Sequence, residues 1–562
     1  MKIRPPRLRY AWASAALAVT AGLGLLAGPQ AGAATSGQAG APQASGAAAT
    51  VAAYNGLTAA QRASLLNVAR DTWKFYTADV DSATSLPMDN LTFAGGSAAP
   101  TTYGRYTSAA NIGVYLWAVV SARDLGLITE RQADTRVAAT LTEVSHLQRY
   151  DGFLYQWYDT ANGQVLTNPG AADCPAGAAP AFNNCFFVSN VDNGWYASGL
   201  IVVGQAMPEL KPLVDRLMAP MNFGLFYDNG PETHCNTNPA VPGNQPTGQM
   251  FGGYYVGLPP YAGSDLSHYY HNGAFYSDPR ISAYIGMGLH QMPGNVWWRS
   301  WLELPPKAPF ADCQATDPDF SWQGQYPMGG SWQTYTDPQS HQQFTVWEGH
   351  YTYPGTNLTF IPTYAGGMFE ALMPDIVVPE TSWGTRSFGL ADQRTAQVQI
   401  KYATQQLHDP VWGMSPSSTP DDSGNYAGYG VEGLDFPYYG TGATAADPNE
   451  QLAQCNTCAT ENVVTPYASF IALDVAPQQS YANIQALRTL YPGVYGTDGY
   501  FDAVDPATGA VGHRYLVLDQ SMIMGALDNA LNNRAIQRDF ASSSAAWAAR
   551  TYLSLDTFSL GG

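Results

Sequence analysis

From Leu57 to the end of the chain, stretches with apolar residues at helical spacing alternate with long loops rich in Gly, Pro, Asn and aromatic residues. No segment between them has the composition of an interdomain linker, so residues 57–562 read as one folding unit. Helices are expected at roughly 58–77, 107–125, 129–149, 191–207, 209–219, 279–290, 363–376, 390–408, 462–475, 479–491, 515–531 and 541–554. Ile112, Tyr115, Leu116 and Val119 show the apolar spacing, and Thr107-Ser108 and Thr129-Glu130 supply start signals. The string GFLYQWYDTANGQVL alternates with period two and carries Asn162-Gly163 at its centre, which predicts a hairpin. About twelve helices, many in hairpin pairs, predict an all-α fold: an (α/α)6 toroid with long loops and small β-hairpins. A solenoid would repeat at a fixed period, and no repeat is visible.

The first residues read as an address. Lys2, Arg4, Arg7 and Arg9 precede the small apolar run Ala11–Ala27, and Ala31-Gly32-Ala33 offers a cleavage site. Residues 1–33 are therefore expected to be a secretory signal peptide and 34–56 a flexible Ala/Gly/Ser/Gln lead-in. The run is too poor in large apolar residues for a membrane anchor, so a secreted, extracellular protein free of the membrane after cleavage is expected. Six cysteines, Cys174, Cys185, Cys235, Cys313, Cys455 and Cys458, agree with export and read as disulfides. Proximity suggests Cys174–Cys185 and Cys455–Cys458, leaving Cys235–Cys313, though six cysteines permit about fifteen pairings.

Composition narrows the function. Over 562 residues the net charge is −19, and 21 basic residues would face 44 acidic ones after cleavage. A nucleic-acid partner would be repelled. Aromatics reach 12%, as many as charged residues, which is the reverse of a disordered chain. No phosphate loop, dinucleotide glycine signature, His-Glu-x-x-His helix or Gly-x-Ser-x-Gly elbow occurs, so neither a cofactor nor a metal is expected.

What remains is acids set among Trp, Tyr, Asn and Gly. FVSNVDNGWYASGL places Asp192 and Asn193 beside Trp195, and FYSDPRISAY places Asp278 beside Arg280. TVWEGHYTY surrounds Glu348 with Trp347, His350 and Tyr351, and RYLVLDQSMIMGAL sets Asp519 and Gln520 at a helix entry. Sugars are bound by aromatic platforms and planar polar groups. Cleaving a glycosidic bond needs one protonated and one ionised carboxyl. Glu348 against Trp347 suits the acid, and Asp519 suits the base that activates water. Plainer explanations exist for Asp192 and Asp519 as first-turn or capping acids and for Asp278 with Arg280 as an ion pair, while Glu370, inside a helix, could face either a core network or the cleft.

Nine strings, taken in order, resemble the glucoamylase-like domain, and within it glycoside hydrolase family 144, which includes bacterial endo-β-1,2-glucanases. They are TSAANIGVYLWAVVSARDLGL, GFLYQWYD, VDNGWYASGL, SDPRISAYIGMG, YAGGMFEALMPDIVVPE, WGMSPS, VVTPYASFIALDVAP, GYFDAVDP and YLVLDQSMIMGAL, spread over about residues 57–555. The resemblance implies an (α/α)6 toroid and an inverting glycosidase. By position Glu348 resembles the family's candidate acid, and Asp519 its essential aspartate. Residues 228–275 and 305–345 depart from the pattern as insertions.

The expectation is a secreted, monomeric glycoside hydrolase of β-glucan, plausibly β-1,2-linked, with an oligo- or polysaccharide substrate. Glu348 would donate the proton and Asp519 would activate water. Asp192, Asn193, Trp195, Asp278, Arg280, Trp347, Tyr351 and Gln520 would line the sugar subsites. A non-catalytic glycan-binding surface protein is the first alternative. A polysaccharide lyase on the same toroid is the second, disfavoured because a uronate substrate wants a basic cleft.

Overall fold

The computed structural model describes residues 55–166, 186–230, 248–256, 272, 275–300, 302, 329–353, 355–363, 366–431 and 462–561. The signal segment and all six cysteines lie outside them.

Fifteen α-helices can be followed among the described residues. They are α1 (Ala59–Asp79), α2 (Ala109–Asp124), α3 (Glu130–His146), α4 (Asn190–Ala206), α5 (Lys211–Met218), α6 (Arg280–Gly288) and α7 (Asn295–Arg299). Then come α8 (Met368–Val377), α9 (Glu380–Trp383), α10 (Phe388–Lys401), α11 (Pro466–Ile471) and α12 (Pro477–Leu490). The last are α13 (Val517–Leu531), α14 (Ala535–Ser542) and α15 (Ala546–Leu555). About half of the described residues are helical; the sheets are small and antiparallel, and no closed β-barrel occurs among the described residues.

Sequence pattern sorts these helices into inner and outer positions. α2, α4 and α13 are apolar on every side and buried along nearly their whole length. α2 packs between α4 and α13, α4 packs on α6, and α13 packs on α8 and α11. Amphipathic helices cover them: α1 on α13, α3 on α2, α5 on α4, α10 on α8, α12 on α11 and α15 on α6. In α3 the buried Ala133, Val137, Thr140, Leu141 and Val144 form one stripe, and the opposite face is wet. The crossing of α2 and α4 is a backbone contact. A Cβ on Gly113 would stand 2.3 Å from the Trp195 carbonyl oxygen, and one on Gly199 equally close to that of Gly113. Only glycine permits this approach.

Helix starts follow their caps. Ser108 accepts from the Asn111 amide at the head of α2, Ser189 from Asp192 at the head of α4, and Thr129 forms a reciprocal capping box with Gln132. Several expected boundaries move for local reasons. The helix expected at 363–376 begins only at Met368, because Gly366 turns with φ 64°. The one expected at 129–149 stops at His146, because Arg149–Tyr150 pairs with Phe153–Leu154 as strands. The one at 462–475 shrinks to α11, whose Pro466 fits a first helical position, while Val464 bridges Val504. α7, α9 and α14 were not foreseen. The Asn162-Gly163 turn is present, with Gly163 at φ 72° and Tyr158 bridging Val165.

Short sheets tie the chain segments that carry acids. Asn90–Thr92 lies between Thr102–Gly104 and Arg514–Leu516, so Asp89 reaches the start of α13, whose Val517 amide donates to the Asp89 carbonyl at 2.9 Å. Gly329–Thr336 pairs with Gln343–Thr352 in a long hairpin, with Trp347 opposite Trp332 and Glu348 opposite Ser331. Ser417–Ser418 pairs with Tyr426–Ala427 in a small hairpin beside Asp502.

Candidate active site

Two pairs of buried carboxyl groups form at the heads of inner helices. The first joins Asp278, just before α6, to Glu370 in the first turn of α8. The Ser277 hydroxyl donates to Glu370 Oε2 at 2.6 Å, and the Trp195 indole N–H donates to Asp278 Oδ2 at 3.1 Å. The two carboxyls also bond each other, which requires a proton between them. Burial, and then the charge of Asp278, pushes Glu370 well above the usual carboxylate range. Burial raises Asp278 too, but bonds from Glu370 and Trp195 and the nearby Arg280 favour its charged form. The shared proton therefore rests on Glu370.

The second pair is Asp519, in the first turn of α13, with Asp502 from the loop after Tyr500. Asp502 Oδ2 accepts the Ser418 amide at 2.5 Å. Both Asp519 oxygens are buried and receive no bond from any N–H or hydroxyl, and the carboxyl of Asp502, one of whose oxygens is equally unpartnered, acts on Asp519. Burial first, then the charges of Asp502 and Asp89, pushes Asp519 well above its ordinary range, against the pull of Arg514.

Tyr426 senses acids of both pairs. Burial raises its hydroxyl, and so do the charges of Asp519, Asp502, Asp89 and Glu370, which places acids of both pairs within electrostatic reach of one ring. Tyr467 faces Asp519 and Asp502 as well, and its hydroxyl donates to the Pro416 carbonyl at 2.8 Å. Asp89, half-buried, accepts from Asn90 at 2.8 Å and Asn111 at 2.9 Å. Asp192, in the first turn of α4, extends the series: burial raises it to about 6, opposed by the hydroxyls of Ser189 and Ser108, and the charge of Asp278 adds to the rise.

The expected site residues separate into distinct surroundings. Asp519, Asp192 and Asp278 belong to the acidic series just described. Trp195 holds Asp278 and meets Trp117 edge-on at 5.8 Å. Gln520 donates to the Tyr500 carbonyl at 3.1 Å. Asn193 is fully buried, spanning Leu154 and the Ser189 carbonyl, and Arg280 is turned inward, so both serve the scaffold. Glu348 has other company. It accepts from Tyr335 at 3.0 Å and shares a proton with Asp556, which in turn accepts from Trp297 at 2.9 Å. Tyr335 stacks on Trp298 at 4.6 Å, and Tyr335 also bonds the backbone of Thr557. Trp347 meets Trp332 at 5.4 Å, and the fully buried Tyr351 packs against Phe360. Glu348 and Asp519 thus have no partner in common among the described residues.

Glu370, Asp502, Asp89 and Tyr426 are the additions that sequence reasoning did not select. Asp502 had a signal, the aromatic loop GYFDAV. A metal is a poor fit elsewhere: Asp375, Glu380 and Asp392 bring one oxygen each within 4.8 Å of one another, but the cation that Glu380 and Asp392 meet is Arg280.

Residues 330–544 match the family described as "Putative glucoamylase", and residues 67–230 match a protein family of unknown function, DUF3131. The cyclic β-(1,2)-glucan synthase NdvB of Rhizobium meliloti is 32% identical over 143 residues, which is 25% of this chain and 4% of that protein. A putative glucoamylase from Bacteroides caccae superposes with a TM-score of 0.57 at 17% identity, covering 88% of this chain and 100% of that one. An endo-β-1,2-glucanase from Chitinophaga pinensis, solved with sophorotriose and glucose, superposes at 0.56 and 15% identity, covering 88% and 98%. Residues 330–544 are therefore similar to the glucoamylase family, and the fold over most of the chain is the one found in the Bacteroides caccae protein and the endo-β-1,2-glucanase.

Proposed function

We propose that this protein is a secreted, monomeric glycoside hydrolase that cleaves β-glucan, with β-1,2 linkages as its preferred substrate. The observation that carries the reading is that two buried carboxyl pairs, Asp278/Glu370 and Asp519/Asp502, contribute acids (Glu370 from one, Asp519 and Asp502 from the other) that act together on the Tyr426 hydroxyl. In each pair one carboxyl, Glu370 or Asp519, is pushed well above its ordinary range, chiefly by burial, and is suited to hold a proton. One pair can protonate the leaving oxygen while the other takes a proton from water, the division of labour that glycoside hydrolysis needs. We assign the leaving-group side to Asp278/Glu370 and the water side to Asp519/Asp502. Glu348 is reassigned to anchoring the C-terminal segment, since its partners are Tyr335 and Asp556.

The helix arrangement supports an (α/α)6 toroid. α2, α4, α6, α8, α11 and α13 would form the inner ring, and four of the acids sit at the heads of α4, α6, α8 and α13. An inverting course calls for catalytic carboxyls about 6.5–9.5 Å apart, with water between one of them and the sugar. The similarity to an endo-β-1,2-glucanase solved with sophorotriose supports a β-1,2-linked glucan over other linkages. Residues 1–33 would direct export, and 57–562 would form the catalytic unit.

The test is product analysis on linkage-defined β-glucans, with the anomer followed by proton NMR. Linear β-1,2-glucan should be shortened, and the first product should carry the α configuration. Glu370→Gln and Asp519→Asn should each lower turnover by at least about a thousandfold while remaining folded. Glucan binding without release of reducing ends would identify a glycan-binding protein instead. Unsaturated products would identify a lyase.

A further inference from the structure

We propose that Arg280 and Glu380 are positioning residues that set the geometry and the protonation of the Asp278–Glu370 pair from behind, without touching substrate. The inference rests on the acid–base assignment made above. Arg280 is fully buried. Its Nε and Nη2 each approach a Glu380 oxygen at 2.8 Å, a forked ion pair. Its Nη1 donates to the Ser277 carbonyl and to the Glu370 carbonyl, both at 3.1 Å, and Nη2 also donates to the Ala371 carbonyl. One guanidinium therefore clamps together the two backbone segments that carry the acid pair. Lysine has no fork with which to do this.

The same contact is electrostatic. Arg280 adjoins Asp278 and favours its ionised form, so the pair senses how far the guanidinium charge is neutralised. Glu380 neutralises it directly, with Tyr284 donating to the same carboxylate. Asp392 stands 3.9 Å away and accepts from Tyr276 at 2.9 Å, and Asp375 lies next in the series. The charged or titratable groups facing the pair are Asp192 from α4, Arg280 from α6 and Tyr426 from the small hairpin. Only Arg280 is a cation among these. Removing its counter-charge should strengthen its field at the pair and release the shared proton at lower pH.

The experiment compares wild type with Glu380→Gln, Glu380→Asp and Asp392→Asn in two readouts: the pH dependence of kcat on linear β-1,2-glucan, and a carbon-13 NMR titration of the Glu370 carboxyl, assigned by its loss in Glu370→Gln. Glu380→Gln should lower kcat at least tenfold per folded molecule with KM within about twofold. It should also move the alkaline limb, and the Glu370 titration, down by about one pH unit. Asp392→Asn, which leaves the ion pair whole and replaces a carboxyl that burial and the charge of Glu380 hold well above its ordinary range, should leave both midpoints in place. Glu380→Asp should restore most of the shift. A merely structural role would lower stability and leave both pH midpoints in place. Unmoved midpoints in whichever Glu380 variants fold, or midpoints that move as far in Asp392→Asn as in Glu380→Gln, would overturn the proposal. If no glucan is cleaved but the NMR midpoint still moves, the catalytic assignment fails and the electrostatic control stands.

Discussion

At the residue scale the decisive contrast is between Glu348 and Glu370. Both are buried glutamates, both are raised by burial first, and both share a proton with an aspartate. Position separates them, because Tyr426 feels Glu370 together with Asp519, whereas Glu348 is bound into Tyr335, Asp556 and Trp297. Glu348→Gln should therefore keep turnover within about threefold of wild type on β-1,2-glucan. A loss as deep as that of Glu370→Gln would return the acid role to Glu348. Asp192 makes a separate claim about pH. Its folded value of about 6 lies above the usual unfolded value near 3.9, so its proton stabilises the fold in acid. That contribution is lost as pH rises from about 4 through 6 and amounts at most to about 3 kcal/mol. Urea unfolding at pH 5 and pH 7.5 should show a smaller drop for Asp192→Asn than for wild type. Sequence alone could find these acids but not sort them. Asp278 beside Arg280 reads as a local ion pair, yet Arg280 turns to Glu380, a hundred positions on, and leaves Asp278 to Glu370. Partners that distant leave no periodicity to read.

At the element scale, helices were legible wherever their own sequence decided them. α1 and α3 carry capping boxes and a single apolar stripe, and they begin where that pattern puts them. Where another segment decides, reading fails. The expected helix end at residue 149 yields to strand pairing with Phe153–Leu154, and α14 follows Arg534, whose φ is 61°, with no side-chain cap to announce it. α2 and α4 show a constraint that no single-helix pattern carries, since Gly113 and Gly199 are glycine for the sake of each other's helix. Gly113→Ala should cost about 3 kcal/mol, the upper end for forcing a methyl into a packed core. Because Asp192 and Trp195 ride on α4, activity should fall with it. A stable, fully active Gly113→Ala protein would show that the two helices can separate without disturbing the acids.

At the scale of the whole molecule, the C-terminal segment closes the structure onto itself. After α15 the chain runs back across the long hairpin and α10. Tyr335 brackets Thr557, the Ser559 hydroxyl donates to the Glu348 carbonyl, and His350 meets the same hydroxyl at 2.9 Å. The Phe558 amide donates to Arg386, its ring meets Phe388 at 5.0 Å, and Arg394 donates to the Gly561 carbonyl at 2.8 Å. Phe388 in turn contacts Phe275, Tyr276, Tyr284 and Trp297, next to the segment that delivers Asp278. Burying Phe558 and Leu560 contributes about 3–6 kcal/mol by side-chain transfer. Deleting residues 557–562 should lower the urea midpoint by a corresponding amount and expose the Glu348–Asp556 pair. The acid series lies on other elements, so the fraction that stays folded should retain its pH optimum. A shifted optimum in the truncated protein would mean that the strap reaches the acids through Phe388, and that the anchoring role given to Glu348 is incomplete.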